Sequence, residues 1–220
     1  MGSVVRQAQA PDSEHELDRL RSVDSDRSAN LWPVTDPVDL TLATYQATVQ
    51  RYVDAGGPPG PALQAFIGRV AEAVPGGTVM DVVSGPGRDA DHLESLGLHV
   101  LRTDTTAAFV DRLRAGGHNA RPLDVHTDPL RGPYDAVLAQ AVLLHLSLAQ
   151  LAAVARGALA AVRRNGVLAA TVKEGDGEAW TTDKLDAPRW FTYLRAPALR
   201  VVFEAPGWSV ISLIHVRGRP

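Results

Sequence analysis

From Thr78 to Val216 the chain alternates short β-branched or apolar runs with helical stretches, and that alternation leaves few folds open. Strands are expected at Thr78–Val83, Leu98–Thr103, Ala120–Leu123, Asp135–Gln140, Gly166–Val172 and Trp208–Val216. Helices are expected at Arg88–Leu96, Thr106–Ala115, Leu148–Val162 and Ala196–Ala205, two of them closed by Gly97 and Gly116-Gly117. Strands that alternate with helices of this length form a mostly parallel, doubly wound α/β sheet with helices on both faces. Apart from Asp81 and Thr171, Val79–Val83 and Val167–Val172 are apolar, as strands covered on both faces should be.

Upstream, Val38–Asp54 and Ala62–Ala73 read as two helices, stopped by Gly56-Gly57-Pro58-Pro59-Gly60-Pro61 and by Pro75-Gly76-Gly77. Residues 1–37 hold Pro11, Pro33 and Pro37 among many charges, with room for a short helix over His15–Ser22. They are expected to be an N-terminal arm, partly disordered or lid-like. Residues 38–220 are then one folded domain, which suits a chain of 220 residues.

Composition narrows the function. With no cysteine, disulfides, Cys-ligated zinc and thiol nucleophiles are excluded. Lys+Arg 22 against Asp+Glu 25 leaves a net charge of −3 and no basic cluster beyond pairs such as Arg163-Arg164, so no nucleic acid is expected as a partner. Tyr134–Leu146 and Gly166–Val172 are too short to span a bilayer, and the first residues lack the apolar core of a signal peptide. The expectation is a cytoplasmic protein, monomer or homodimer, that acts on a small molecule away from membranes.

The glycine turn after the first body strand carries the chemistry. It runs Val79-Met80-Asp81-Val82-Val83-Ser84-Gly85-Pro86-Gly87-Arg88-Asp89-Ala90. A strand that meets a helix through such a loop lets a ligand approach the backbone closely. Gly85-x-Gly87-x-x-Ala90, with Asp104 downstream, also fits a dinucleotide fingerprint. Asp81 discriminates, because a carboxylate inside a buried strand needs a partner. A pyrophosphate is an anion and supplies none, whereas S-adenosylmethionine brings an ammonium group. A cap or hydrogen bond to loop amides would be the purely structural use of Asp81.

At these residues the chain resembles the class I S-adenosylmethionine-dependent methyltransferases, small-molecule branch, over about Tyr45 to Val216. Asp81-Val82-Val83-Ser84-Gly85-Pro86-Gly87-Arg88 is similar to the family's first motif. Tyr134-Asp135-Ala136-Val137 resembles the opening of its fourth strand and Asn165-Gly166-Val167-Leu168 the start of its fifth. The resemblance implies a Rossmann-like fold with S-adenosyl-L-methionine as cofactor. It implies cofactor contacts from Asp81, Ser84, Gly85, Gly87 and Gln140. Asp104, beside Thr105, would hold the ribose hydroxyls, and Asp124, with Val125, the adenine edge. The implied reaction is methyl transfer to an O or N atom of a small molecule, with secondary metabolism as a setting. A cyclase or other non-methylating enzyme of the same fold, and a cofactor-binding protein without turnover, are the alternatives.

Two departures from the family pattern stand out. Val83 replaces the first glycine of the motif and should crowd the cofactor. The chain also stops at Arg217-Gly218-Arg219-Pro220, where the family adds a seventh, antiparallel strand. With that strand missing, direct pairing of Trp208–Val216 with Gly166–Val172 is expected; Val4-Val5, Leu31-Trp32 or a partner subunit are the other ways to fill the gap.

Methyl transfer needs alignment and, for some acceptors, a base. His145, just past the fourth strand, is the candidate catalytic base, with packing over the cofactor as its structural alternative. Tyr45 and Tyr52 on the early helix, with Trp190 and Tyr193 on the long connection 174–195, are the candidate substrate-binding residues. Arg195 and Arg200 could face an anionic acceptor, though solvated surface fits them better. His92, His99, His118, His126 and His215 read as surface or core residues, and no metal site is expected.

Overall fold

The buried strands have little choice of neighbour. Each presents apolar side chains to both faces, so each must lie between helices. The structure, a computed structural model, describes residues 2–7, 36–183 and 185–216. β2 (Thr78–Asp81), β3 (His99–Asp104), β4 (Ala120–Pro122), β5 (Tyr134–Ala139) and β6 (Val162–Thr171) run parallel in the order β4-β3-β2-β5-β6. Period-two alternation then sorts the side chains. Met80, Val137, Leu168 and Ala170 pack against α6 (Leu148–Ala161) and α7 (Ala196–Glu204). Val79, Ala136, Leu138 and Val167 pack on the other face, against α3 (Pro61–Ala73) and α4 (Arg88–Ser95). A smaller cluster seats α5 (Ala107–Ala115) on β4 through Val110, Leu113 and Ala120. The doubly wound, mostly parallel architecture is the expected one.

The far side of the sheet corrects one expectation. Beyond β6 comes β1 (Gly2–Gln7), and beyond β1 comes β9 (Trp208–Ile214). β1 is antiparallel to both, pairing Val4 with Ala169 and Val5 with Val210, and its register against β9 shifts between Val4 and Val5. β9 therefore does not pair directly with β6. β1 supplies an antiparallel strand between β6 and β9, and it satisfies two rows of backbone groups that would otherwise face a gap. The His15–Ser22 helix, Leu31-Trp32 and the arm between β1 and residue 36 lie outside the described residues, as do 217–220.

Three boundaries also differ. The early helix is two pieces, α1 (Pro37–Ala47) and α2 (Val49–Asp54). Thr48 separates them, with its hydroxyl donating to the Thr44 carbonyl at 2.7 Å and its backbone at φ −119°, ψ 17°. β6 begins at Val162 rather than Gly166, because Val162 already pairs with Tyr134; the exposed run Arg163-Arg164-Asn165 then shifts the register before Val167 pairs with Ala136, with Asn165 in left-handed backbone at φ 65°. The connection 174–195 holds a hairpin of β7 (Glu178–Thr181) and β8 (Arg189–Thr192). Among the described residues no helix is long and apolar enough to cross a membrane.

Candidate active site

At the carboxyl ends of β2, β3 and β5 lies a cavity of about 610 Å³. In open α/β sheets this edge is where ligands bind. The loop after β2 forms its floor. Ser84 N–H donates to the Thr103 carbonyl at 2.7 Å and Gly87 N–H to the Ser84 carbonyl at 2.9 Å, closing a tight turn. Gly85 (φ 54°) and Gly87 (φ 88°) take left-handed backbone, and a Cβ on Gly87 would also meet Leu113 Cδ2 at 2.7 Å. Val83 adopts φ 57°. That region is strained for a β-branched residue, and Val83 lines the cavity.

Asp81 ends β2 facing this cavity and is 2% exposed. Its Oδ2 has no hydrogen-bond partner. Burial pushes its carboxyl up to about 8, although the Ser84 hydroxyl offsets part of the shift. Asp104, at the end of β3 and 1% exposed, is used differently. Its Oδ2 accepts from Gly85 N–H and its Oδ1 from Thr106 N–H, both at 2.8 Å. Burial raises its pKa, and these amides oppose the rise. Each oxygen keeps a second lone pair for a ligand hydroxyl. Asp124 Oδ1 accepts from His126 N–H at 2.9 Å, and the Thr105 hydroxyl donates to the Leu123 carbonyl at 3.0 Å. Val125 and Gln140 complete this wall.

The opposite wall is aromatic. A short 3-10 turn, Leu143–His145, places His145 against Tyr45 of α1 and Phe191 of β8. His145 Nδ1 lies 2.7 Å from the Trp190 carbonyl, which can only accept, so Nδ1 carries the proton. Nε2 then accepts from the Tyr45 hydroxyl at 3.1 Å. Burial, with Arg189 and Lys173 nearby, lowers His145 to about 4, despite the bond to Trp190. Tyr52 sits edge-on to both Tyr45 and Phe109, and burial raises its phenol to about 12. α1 is fastened to β8 by Thr41, whose hydroxyl accepts from Trp190 N–H at 2.9 Å, and by Thr44, which donates to the Pro188 carbonyl at 2.7 Å.

Of the residues singled out in the sequence, His145, Asp81, Ser84, Gly85, Asp104, Thr105, Asp124, Val125, Gln140, Tyr45 and Tyr52 all line this one cavity. Gly87, Trp190 and Tyr193 do not. Gly87 shapes the loop from behind. Trp190 turns its ring edge-on to Trp180 and contributes its carbonyl to His145, while Tyr193 packs edge-on to Phe191. His126, read as surface or core, lines the cavity and accepts from Gln150 Nε2 at 2.6 Å. Arg195 and Arg200 pair with Asp176 and Glu204 on the surface. Sequence reasoning missed Asp89, half-buried in the cavity wall and raised to about 6 by burial, because an acid in a first helical turn reads as a dipole partner. It also missed Arg189, a cation beside Trp190 in a connection read chiefly for its aromatics. Among the described residues, Asp91, Glu94 and His118 place one ligand atom each within 4.8 Å of one another. The buried Arg102 guanidinium already joins Asp91 and Glu94, each at 2.7 Å.

No family model matches the chain, and no curated protein matches its sequence. Solved structures do match. A DhpI-SAM-HEP complex is 20% identical with a TM-score of 0.63, covering 80% of this chain and 92% of that one. The 4+2 cyclase SpnF is 18% identical with a TM-score of 0.62, covering 80% and 73%. The Burkholderia thailandensis 1,6-didemethyltoxoflavin-N1-methyltransferase, bound to 1,6-didemethyltoxoflavin and S-adenosylhomocysteine, is 17% identical with a TM-score of 0.54, covering 92% and 83%. The chain shares the α/β Rossmann-like fold of these structures. Within that fold the cavity sits at the carboxyl edge of the parallel strands, bounded by the glycine turn after β2 and the acid that ends β3.

Proposed function

We propose that this protein transfers a methyl group from S-adenosylmethionine to an oxygen or nitrogen atom of a small molecule. The observation that carries the reading is Asp81. A buried carboxylate with an orphaned oxygen, facing a cavity, calls for a cation. The residues present fit that cofactor. Asp81, Ser84 and Gly85 would hold its amino-acid end, with Gly87 shaping the loop behind them, Asp104 and Thr105 its ribose, and Asp124, Val125 and Gln140 its adenine end. When bound, the cofactor supplies the activated methyl carbon; the chain's own residues bind, align and exclude water.

On the acceptor side, Tyr45 and Tyr52 would pack the acceptor against His145. His145 is held neutral, with Nδ1–H fixed on the Trp190 carbonyl. Nε2 is thereby free of a proton and serves as hydrogen-bond acceptor and positioning group. Its depressed pKa makes it a weak base, narrower than the catalytic role expected from its position. A non-methylating reaction within the same fold is the second reading. It is favoured by the same weak base and by the likeness to a cyclase.

Mass spectrometry after incubation with S-adenosylmethionine and small-molecule extracts tests the reading. A product heavier by one methyl, with S-adenosylhomocysteine released, is expected. Conversion of a compound with no gain of a methyl favours the second reading and contradicts the first.

A further inference from the structure

Behind the aromatic wall of the cavity stands a second buried ion that lacks a counter-charge. Arg189, at the start of β8, is 5% exposed, and its Nε has no hydrogen-bond partner. Nη2 donates to the Asp183 backbone carbonyl and Nη1 lies 3.4 Å from the Tyr45 hydroxyl. Among the described residues no carboxylate lies within ion-pair distance of it, in contrast to Arg102, Arg163, Arg195 and Arg200. A desolvated guanidinium without a counter-charge is as costly as a desolvated carboxylate. Lys173, just past β6, adds a second cation, with Nζ 4.1 Å from the centroid of the Phe191 ring that Arg189 also faces at 5.2 Å. The His145 ring stacks on that same Phe191.

Charge is thus divided along the cavity. Asp81, Asp89, Asp104 and Asp124 line the end under the glycine turn and outnumber the cation there, Arg88. Behind Tyr45 and His145 stand Arg189 and Lys173. Other titratable groups facing this end are Tyr45, Tyr52, His145 and Asp183, whose carboxylate acts on Lys173. We propose that the small-molecule acceptor is an anion, whose carboxylate or comparable acidic group sits against the Tyr45 hydroxyl in the field of Arg189 and Lys173. On binding, the Tyr45 hydroxyl swings its one proton from His145 Nε2 to the anion while still accepting from Arg189 Nη1, which couples the cation behind the wall to the ligand in front of it. Such an acceptor reaches the site already ionised or strongly polarised. That accounts for an acceptor wall with no carboxylate base and a histidine held neutral. The proposal rests on the methyl-transfer reading, in that the ligand on this wall is taken to be the acceptor.

Acid probes test it directly. Benzoate and acetate, each beside its uncharged amide, are titrated into the full-length protein with and without S-adenosylhomocysteine. Calorimetry of S-adenosylhomocysteine, run first, judges the cofactor reading on its own. Benzoate should bind saturably, about tenfold or more tighter than benzamide, as expected for a charge-assisted contact. Arg189→Gln should abolish that preference, Arg189→Lys should retain most of it, and the surface control Arg200→Gln should leave it unchanged. Failure of both acids to saturate the wild type, equal binding of acid and amide, or a preference that survives Arg189→Gln in a protein that still melts cooperatively would each overturn the proposal.

Discussion

Asp81 couples the cofactor end of the cavity to pH. Its carboxyl lies at about 8 in the folded protein against an ordinary value of 3.8, because burial disfavours the charged form. Between those values the folded chain keeps a proton that the unfolded chain releases, so this group's contribution to stability falls as pH rises from about 4 to about 8. Asp81→Asn removes the titration. The unliganded variant should melt above wild type at pH 8.5, and the gap should close by pH 5; a gap that is constant with pH contradicts the assignment. Binding a cationic amino group must ionise Asp81 and release a proton. Wild-type affinity for S-adenosylhomocysteine should therefore rise from pH 6 to pH 8, and the calorimetric heat should vary with the ionisation enthalpy of the buffer. Val83 is the other residue whose local chemistry conflicts with its place. A β-branched side chain at φ 57° stores about 1–3 kcal/mol of strain beside the cofactor loop. Val83→Gly should leave the fold intact and tighten S-adenosylhomocysteine several-fold. Unchanged or weaker affinity would mean that the Val83 side chain contributes contacts rather than crowding.

At the scale of elements, β1 decides whether the sheet is whole. It sits between β6 and β9 and bonds both. Removing residues 2–7 would strand two rows of donors and acceptors, each net hydrogen bond contributing about 1 kcal/mol. Such a truncation should lower Tm by about 10 °C or more, measured by circular dichroism, since about 1 kcal/mol shifts Tm by a few degrees at this size. A truncated protein that melts within about 2 °C of the full chain contradicts the pairing, by the same scaling. The parallel core was legible in the sequence because its signals are local: Val79-Met80 and Val167-Leu168 are apolar on both faces, and Gly97 and Gly116 close their helices. β1 was not, because its pairing spans more than 150 residues in sequence and its only local sign is Val4-Val5. The start of β6 was hidden by Arg163-Arg164-Asn165, polar residues on an exposed strand end. Asp81 and Asp104 were readable at the ends of apolar strands, whereas the importance of Arg189 depends on what surrounds it in space. Trp190 and Tyr193 show the converse, since aromatic character in a connection does not tell which way a ring turns.

Over the whole molecule, the cavity is acidic on balance under the glycine turn, where four aspartates face Arg88, and cationic behind its aromatic wall. That polarity favours a ligand bearing a sulfonium and an ammonium over one carrying a pyrophosphate, which would meet Asp81, Asp89 and Asp104. In a thermal shift assay S-adenosylmethionine should raise Tm and NAD should not. The most direct test is titration calorimetry of S-adenosylmethionine into the wild type and into Asp81→Asn at pH 8. One site per chain is expected, with affinity about tenfold or more weaker in the variant, the order of loss for a buried charged contact. No heat with the wild type, or equal affinity in the two proteins, would contradict the account that Asp81 is there to meet the cofactor's ammonium group.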